Sequence, residues 1–306
     1  MTPAPEISVI IPTYNRRELL LRALESVFSQ THPIDEIVVI DDGSTDGSEA
    51  AVRERHGDRI RYVWQVNAGV SAARNRGMSI ANGKYFALLD SDDEWLPDKT
   101  TLQLEWLRAH PDFGMVLCDV QRVDGEHRPI DIFRRRDTIP EDGWVLRWII
   151  HNPALAPASV MFRREVFEDI GGFDEDLRTA EDLDFHLRVA HRWKIGVVEI
   201  PLVRAMRGHD GLSAEANTYD DYVRVVERAV ESAKGLVEPE NLQLALATTY
   251  ARNAKGLLIQ RRWRDGARLA LRARQTTRDP ALRAELRKLI PFGLRHMLRG
   301  HLPKLK

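Results

Sequence analysis

The chain has 306 residues, 43% of them hydrophobic and 30% charged, with one cysteine and a formal charge of −1. That composition is ordinary for a folded protein and leaves no second thiol for an internal disulfide. No basic stretch followed by an apolar one opens the chain, and no uncharged apolar run approaches the roughly 20 residues that span a bilayer, so the expectation is a cytoplasmic protein.

Ile7-Ser8-Val9-Ile10-Ile11 reads as a buried strand and leads through Pro12-Thr13-Tyr14-Asn15 into a helix over 16–30. Leu20, Ala23, Leu24, Val27 and Phe28 give that helix one apolar face, and Asn15 with Glu18 forms a capping box at its start. Glu36 to Ile40 is a second buried strand ending in Asp41-Asp42-Gly43-Ser44, and a helix follows to Arg55. A third strand covers 61–64, a helix 71–81, and the apolar run Tyr85 to Leu89 is a fourth strand. Strands alternating with helices through short connections predict an α/β fold with a doubly wound, mainly parallel sheet flanked by helices. Beyond it, strands are expected at 114–118, 158–162 and 195–200, the last ended by Pro201. A tight turn falls at Gly171-Gly172-Phe173-Asp174, and Glu181-Asp182 opens a helix. Cys118, inside an apolar run, reads as a buried structural thiol.

From about residue 214 the pattern is helical only, which divides the chain into a domain over 1–213 and an all-helical extension over 214–306. Residues 242–278 read as an antiparallel helix pair that faintly resembles a tetratricopeptide unit and needs a further surface to cover its apolar face. Residues 251–306 hold 16 Lys and Arg against Asp265, Asp279 and Glu285, which leaves −14 on residues 1–250. Leu282, Leu286, Leu289, Ile290, Leu294, Met297 and Leu298 are spaced for amphipathic helices broken at Pro291. Over 282–306 this suggests an anionic membrane surface as partner, or else a solvated face, a packing surface or a dimer contact. Nucleic acid is a minor alternative.

Three carboxylates, Asp90, Asp92 and Asp93, follow the fourth strand directly. Like charges so close repel unless a cation or hydrogen-bond donors are at hand. A divalent metal on a phosphorylated ligand would resolve the conflict, and a solvated turn is the plain alternative. In doubly wound sheets ligands bind beyond the carboxyl ends of the strands, where Thr13-Tyr14-Asn15, Asp41-Asp42 and Asp90 to Asp93 all fall.

Val9 to Arg16, Asp41-Asp42-Gly43-Ser44-Thr45-Asp46, Asn67-Ala68-Gly69-Val70-Ser71-Ala72-Ala73-Arg74-Asn75, Leu89-Asp90-Ser91-Asp92-Asp93 and Glu181-Asp182 together resemble the family 2 glycosyltransferases of GT-A fold, in order and spacing over about residues 6–213. The resemblance implies transfer of a sugar from a UDP-sugar or dTDP-sugar to an acceptor hydroxyl, with inversion, in the synthesis of a surface polysaccharide or glycoconjugate. It implies a nucleotide-sugar site of Pro12, Thr13, Tyr14, Asp42, Arg74, Asp90 and Ser91, with Asp42 accepting from the base and Tyr14 packing on base or ribose. It implies Mn²⁺ or Mg²⁺ at Asp92, with Asp93 as ligand or supporting acid and His209, in Arg207-Gly208-His209, close by. Asp182 matches the base that deprotonates the acceptor, and Glu181 orients the loop or touches the acceptor. Trp95, His151, Asn152 and Arg178 are further candidates for the sugar or acceptor pocket. The alternative function is a non-catalytic module that binds nucleotide sugars or partners on the same fold. A dinucleotide enzyme is disfavoured, because Pro-Thr-Tyr-Asn stands where Gly-x-Gly-x-x-Gly is needed.

Overall fold

The structure, a computed structural model, describes residues 5–133, 143–151, 156–206 and 218–299. The chain forms two compact units. The first holds residues up to Val145 with Ala154–Leu177 and Arg188–Asp210, and the second holds Leu146–Pro153, Arg178–Leu187 and Gly211–Lys306.

The first unit is built on one nine-stranded sheet. Strands β1 (Ile7–Thr13), β2 (Glu36–Asp41), β3 (Arg61–Trp64) and β4 (Tyr85–Leu88) lie parallel in the order β3-β2-β1-β4. Every residue of β1 is buried, as expected of a strand covered by helices on both faces. The sheet continues from β4 through β8 (Met161–Arg163), β6 (Phe113–Val123), β9 (Lys194–Met206) and β5 (Glu94–Trp95), and β7 (Pro129–Phe133) pairs with β6. Here the pairing is mixed: β6 and β9 run parallel, whereas β4–β8, β6–β8, β6–β7 and β5–β9 are antiparallel.

Helices α1 (Arg17–Phe28), α2 (Ser48–His56), α3 (Val70–Ile80), α4 (Lys99–Ala109) and α6 (Arg164–Ile170) belong to this unit, and a four-residue helix α5 (Leu146–Ile149) belongs to the second. Gly77 of α3 permits a close approach to the sheet: a Cβ there would stand 2.4 Å from the Ile10 side chain. Helix α7 (Glu181–Arg192) opens at Glu181, just after Ala180 with φ 61.

Two local expectations are corrected. Asn15 does not cap α1: it has φ 49, and its side-chain oxygen accepts instead from the Thr45 N–H at 2.8 Å. The first N–H of α1, that of Arg17, is met by the Asp46 carboxylate at 2.8 Å. Pro201 does not end β9, because the β6–β9 register shifts around Asp119, which faces it, and a bulge removes the need for a proline N–H.

In the second unit, α8 (Thr218–Ser232), α9 (Pro239–Ile259), α10 (Trp263–Thr276) and α11 (Pro280–Arg299) enclose a core of Tyr250, Ala254, Leu257, Ala270, Ala273 and Leu286. Tyr219 and Val223 of α8, with Leu282 and Leu289 of α11, pack against it, so the α9–α10 pair finds its cover within its own unit. Two expectations for the tail change accordingly. Leu282, Leu286 and Leu289 face this core rather than a membrane, and α11 runs through Pro291 without a break. Arg283, Arg287 and Lys288 stay exposed. No described helix is long and apolar enough to cross a membrane.

Candidate active site

The carboxyl ends of β1, β2 and β4 meet at one edge of the sheet, and their loops are tied together by polar contacts. Asn15 N–H donates to the Ser44 hydroxyl at 2.8 Å, complementing the Asn15–Thr45 bond and fixing the left-handed turn after β1 to the loop after β2. Asp46 caps two helices at once. One oxygen accepts from Arg17 N–H, the other from the backbone and hydroxyl of Ser48 at 3.1 and 2.6 Å. Burial alone would raise its pKa, but the hydrogen bonds from Ser48 and from the Arg17 N–H outweigh that and hold it below the ordinary carboxylate value.

Asp41 and Asp42 are both buried. Asp41 accepts from the Ser44 N–H at 2.8 Å and from the Tyr62 hydroxyl at 2.6 Å. Burial, then the bonded and negative Asp41, push the Tyr62 phenol far above its usual range. Asp42 accepts from Gln65 Nε2 at 2.7 Å and from the N–H groups of Ala68 and Gly69 at 2.9 and 2.8 Å. It therefore holds the loop that leads into α3, and Gly69, with φ 95, supplies the turn there.

The acidic stretch after β4 turns back on itself, with Asp93 N–H donating to the Asp90 carbonyl at 3.0 Å. Two arginines meet it, one from α3 and one from the turn after β1. Arg74 of α3, 3% exposed, contacts Asp90 at 2.7 Å and lies over the Phe173 ring at 5.0 Å from its centroid. Arg16 contacts Asp92, also at 2.7 Å. These ion pairs answer the repulsion expected among three adjacent carboxylates. Sequence reasoning placed Asn15 at the ligand edge but read its side chain as a helix cap, and it missed the parts played by Arg16 and Asp46. All three stand within or beside the quoted motifs, but their contacts join residues about 30 to 76 positions apart.

Pro12 and Thr13 end β1 and are buried, whereas Tyr14 is 50% exposed, which excludes a core role for its ring. Among the described residues the Thr13 and Ser71 hydroxyls, one at the end of β1 and one in the first turn of α3, are buried and find no hydrogen-bond partner. Ser91 is buried in the acidic turn. Asp92 and Asp93 offer oxygen donors alone, which suits Mg²⁺ or Mn²⁺ held largely by phosphate oxygens. Among the described residues no three His, Cys, Asp or Glu side chains converge as a metal site made by protein alone.

Glu181 and Asp182 lie in the second unit, in the first turn of α7. Glu181 is buried, and Asp182 accepts from the Leu183 N–H at 2.7 Å. Close by in the same unit, Asp184 pairs with Arg228 at 2.7 Å, and Asp221 accepts from the N–H groups of Arg178 and Thr179. Trp95 is a core residue, 3% exposed, its indole N–H donating to the Ala158 carbonyl. Burial, then the charge of Arg147, lowers the His151 pKa. His209 and Asn152 lie outside the described residues.

Parallel strands ending in carboxylates that arginines and backbone N–H groups restrain define an α/β protein with a candidate ligand site at the carboxyl edge of its sheet. The family model described as glycosyl transferase family 2 matches residues 8–171, more than half of the chain, and the chain belongs to that family. An uncharacterized glycosyltransferase of Rickettsia felis is 35% identical over 217 residues, 71% of this chain and 34% of the relative. The chain thus spans about a third of the length of the first curated relatives it matches. The fold is that of S. aureus TarS 1–349 in complex with UDP, with a TM-score of 0.70 at 21% identity, covering 98% of this chain and 93% of that one. The mannosyltransferase PcManGT from Pyrobaculum calidifontis, in complex with GDP-Man and Mn²⁺, is similar with a TM-score of 0.55 at 25% identity, over 98% of this chain and 87% of that one. The GT-A-type architecture, a mostly parallel sheet flanked by helices with a helical C-terminal region, agrees with the sequence expectation.

Proposed function

We propose that the chain is an inverting glycosyltransferase that takes its sugar from a UDP-sugar, or a dTDP-sugar, and delivers it to an acceptor hydroxyl of a surface polysaccharide or glycoconjugate. The observation that carries this reading is the bundle of contacts joining Asn15, Arg16, Asp42, Arg74, Asp90 and Asp92 at the carboxyl edge of β1, β2 and β4. Asp42 uses three of about four acceptor positions on its carboxylate, and uracil or thymine can fill the fourth with an N3–H that cytosine lacks. Tyr14 is exposed and free to pack on base or ribose. The unpartnered hydroxyls of Thr13 and Ser71, with Asp90 and Ser91, supply further polar contacts for the nucleotide. The UDP complex of TarS supports this donor class.

Asp92, with Asp93 as ligand or supporting acid, would hold Mn²⁺ or Mg²⁺; His209, which the family resemblance adds to this set, lies outside the described residues. When bound, such an ion supplies Lewis-acid stabilisation of the departing diphosphate. Asp182 takes the proton of the acceptor hydroxyl, and Glu181 orients the loop or touches the acceptor. The exposed cations Arg283, Arg287 and Lys288 support an anionic membrane as a partner by charge, whereas Leu282, Leu286 and Leu289 of the apolar stripe pack on the core of their own unit; the side chains of Ile290, Leu294, Met297 and Leu298 lie outside those described.

Asp182→Asn separates an enzyme from a binding module. Transfer should fall by a factor of about 10² to 10⁴, the usual contribution of a general base, while UDP binding by calorimetry stays at the wild-type value. Unchanged transfer would remove Asp182 from the mechanism. A thermal-shift panel of nucleotide sugars with and without Mn²⁺ tests the donor, and a flat response to every UDP and dTDP sugar would refute it.

A further inference from the structure

We infer that Arg16 is the resident counter-ion of the cation site on Asp92 and is displaced from it when metal and donor bind together. The inference rests on the proposed reading of Asp92 as metal ligand. Two arginine–aspartate pairs stand in the acidic turn, and they differ in freedom. In the Arg74–Asp90 pair the arginine is held, its side chain 4% exposed and stacked on Phe173, while Asp90 is 24% exposed. In the Arg16–Asp92 pair the arginine is freer, the two side chains being 28% and 15% exposed. Arg16 also lines an open cavity of about 380 Å³ with Asn15, Arg17, Glu18, Leu19 and Asp46, so a recess lies beside the residue.

The backbone under Arg16 is held. Asn15 is fixed by Ser44 and Thr45, and the Arg17 N–H by Asp46, so movement at residue 16 is movement of the side chain. A guanidinium and a divalent cation compete for the same carboxylate oxygens. Without metal, the guanidinium offsets the Asp92 charge beside Asp90 and Asp93. A metal arriving alone must strand Arg16 beside a second positive charge. A metal arriving with a diphosphate brings new acceptor oxygens for the released guanidinium, with which arginine forms forked contacts. Arg16 therefore makes metal and nucleotide binding cooperative, and the coupling is reciprocal.

The test is Mn²⁺ alone, titrated into the full chain and read from the EPR signal of free Mn²⁺. Arg16→Gln and Arg16→Met should each bind Mn²⁺ about two- to fivefold more tightly than wild type, the factor expected from losing a partly exposed ion pair. Arg16→Lys should return the affinity to near the wild-type value. The gain in UDP affinity produced by Mn²⁺, measured by calorimetry, should shrink by a similar factor in the two uncharged variants. Unchanged or weaker Mn²⁺ binding in both of them overturns the inference. Asp92→Asn should abolish Mn²⁺ binding. If it binds Mn²⁺ like wild type, the metal assignment itself fails, whatever the Arg16 variants do.

Discussion

Lys99 at the start of α4 is fully buried and, among the described residues, faces no carboxylate within hydrogen-bonding distance. Its ammonium donates to Gln103 Oε1 at 2.7 Å and to the Val160 carbonyl at 3.4 Å, and it lies 4.1 Å from the centroid of the Trp95 ring. Gln103 in turn donates to the Ser159 carbonyl, so the lysine sits in a network joining α4 to the segment before β8. Burial drives its pKa down from 10.5 to about 8, offset in part by the Cys118 sulfur. Below pH 8 both the native and the unfolded chain hold this proton. Between about 8 and 10.5 the unfolded chain holds it and the native one does not, so raising the pH favours the native state. At 1.36 kcal/mol per pH unit, the full interval amounts to about 3 kcal/mol. Lys99→Met keeps the volume and removes the titration. Urea unfolding of both proteins at pH 7, 8, 9 and 10 isolates this group, because every other side chain titrates in both and cancels in the difference. The wild type should gain on the variant steadily above pH 8. A difference that stays flat with pH would mean that Lys99 titrates like a surface lysine, and the account of its burial would be wrong.

Two further outcomes are expected. Asp46→Ala should lower stability by about 1–2 kcal/mol at pH 7, since the carboxylate caps both α1 and α2. Because the native pKa of Asp46 lies below its ordinary 3.8, that contribution is present above 3.8 and lost as the pH falls through the native value. The two proteins should therefore converge on acid titration followed by circular dichroism, and a constant gap would refute the capping role. For the tail, co-sedimentation with vesicles containing anionic lipid should show binding that weakens with salt and is lost on truncation after Asp279. Binding only by the truncated form, or equally to neutral vesicles, would refute an electrostatic partner surface.

The sheet was legible where burial writes itself into composition. β1, β2 and β4 are covered on both faces and read as unbroken apolar runs. Helix α4 left no such mark, because the stripe it buries includes Lys99, Thr100 and Gln103, and polar residues in the core erase the helical period of apolar ones. β5 is two residues long and exists through its pairing with β9, more than a hundred positions away, so nothing local specifies it. Asn15 offers the same lesson at the site. Its type and its distance from Glu18 satisfy a capping box, but the loop after β2 offers its side chain a tertiary partner, and the helix takes its cap from Asp46 instead. The acidic turn was visible as a chemical oddity. The guanidinium that compensates Asp92 was not, because 76 residues separate Arg16 from it.

The turn after α6 has a consequence for engineering. Asn75, next to Arg74 on α3, donates to the Phe173 carbonyl and to Glu175 and accepts from the Phe173 N–H, while Arg188 donates to the carbonyls of Ile170 and Gly172. Gly172 leaves no room for a side chain, since a Cβ there would stand 2.2 Å from the Asn75 amide oxygen. Residues 170–175 and α3 therefore behave as one transplantable block. A chimera that imports this turn from a relative without its own Asn75 and Arg188 counterparts would arrive with unmatched peptide groups and would loosen Phe173 from Arg74. Loop swaps meant to alter what the protein accepts should cut outside this block, so that Arg74 keeps its ring and Asp90 its partner.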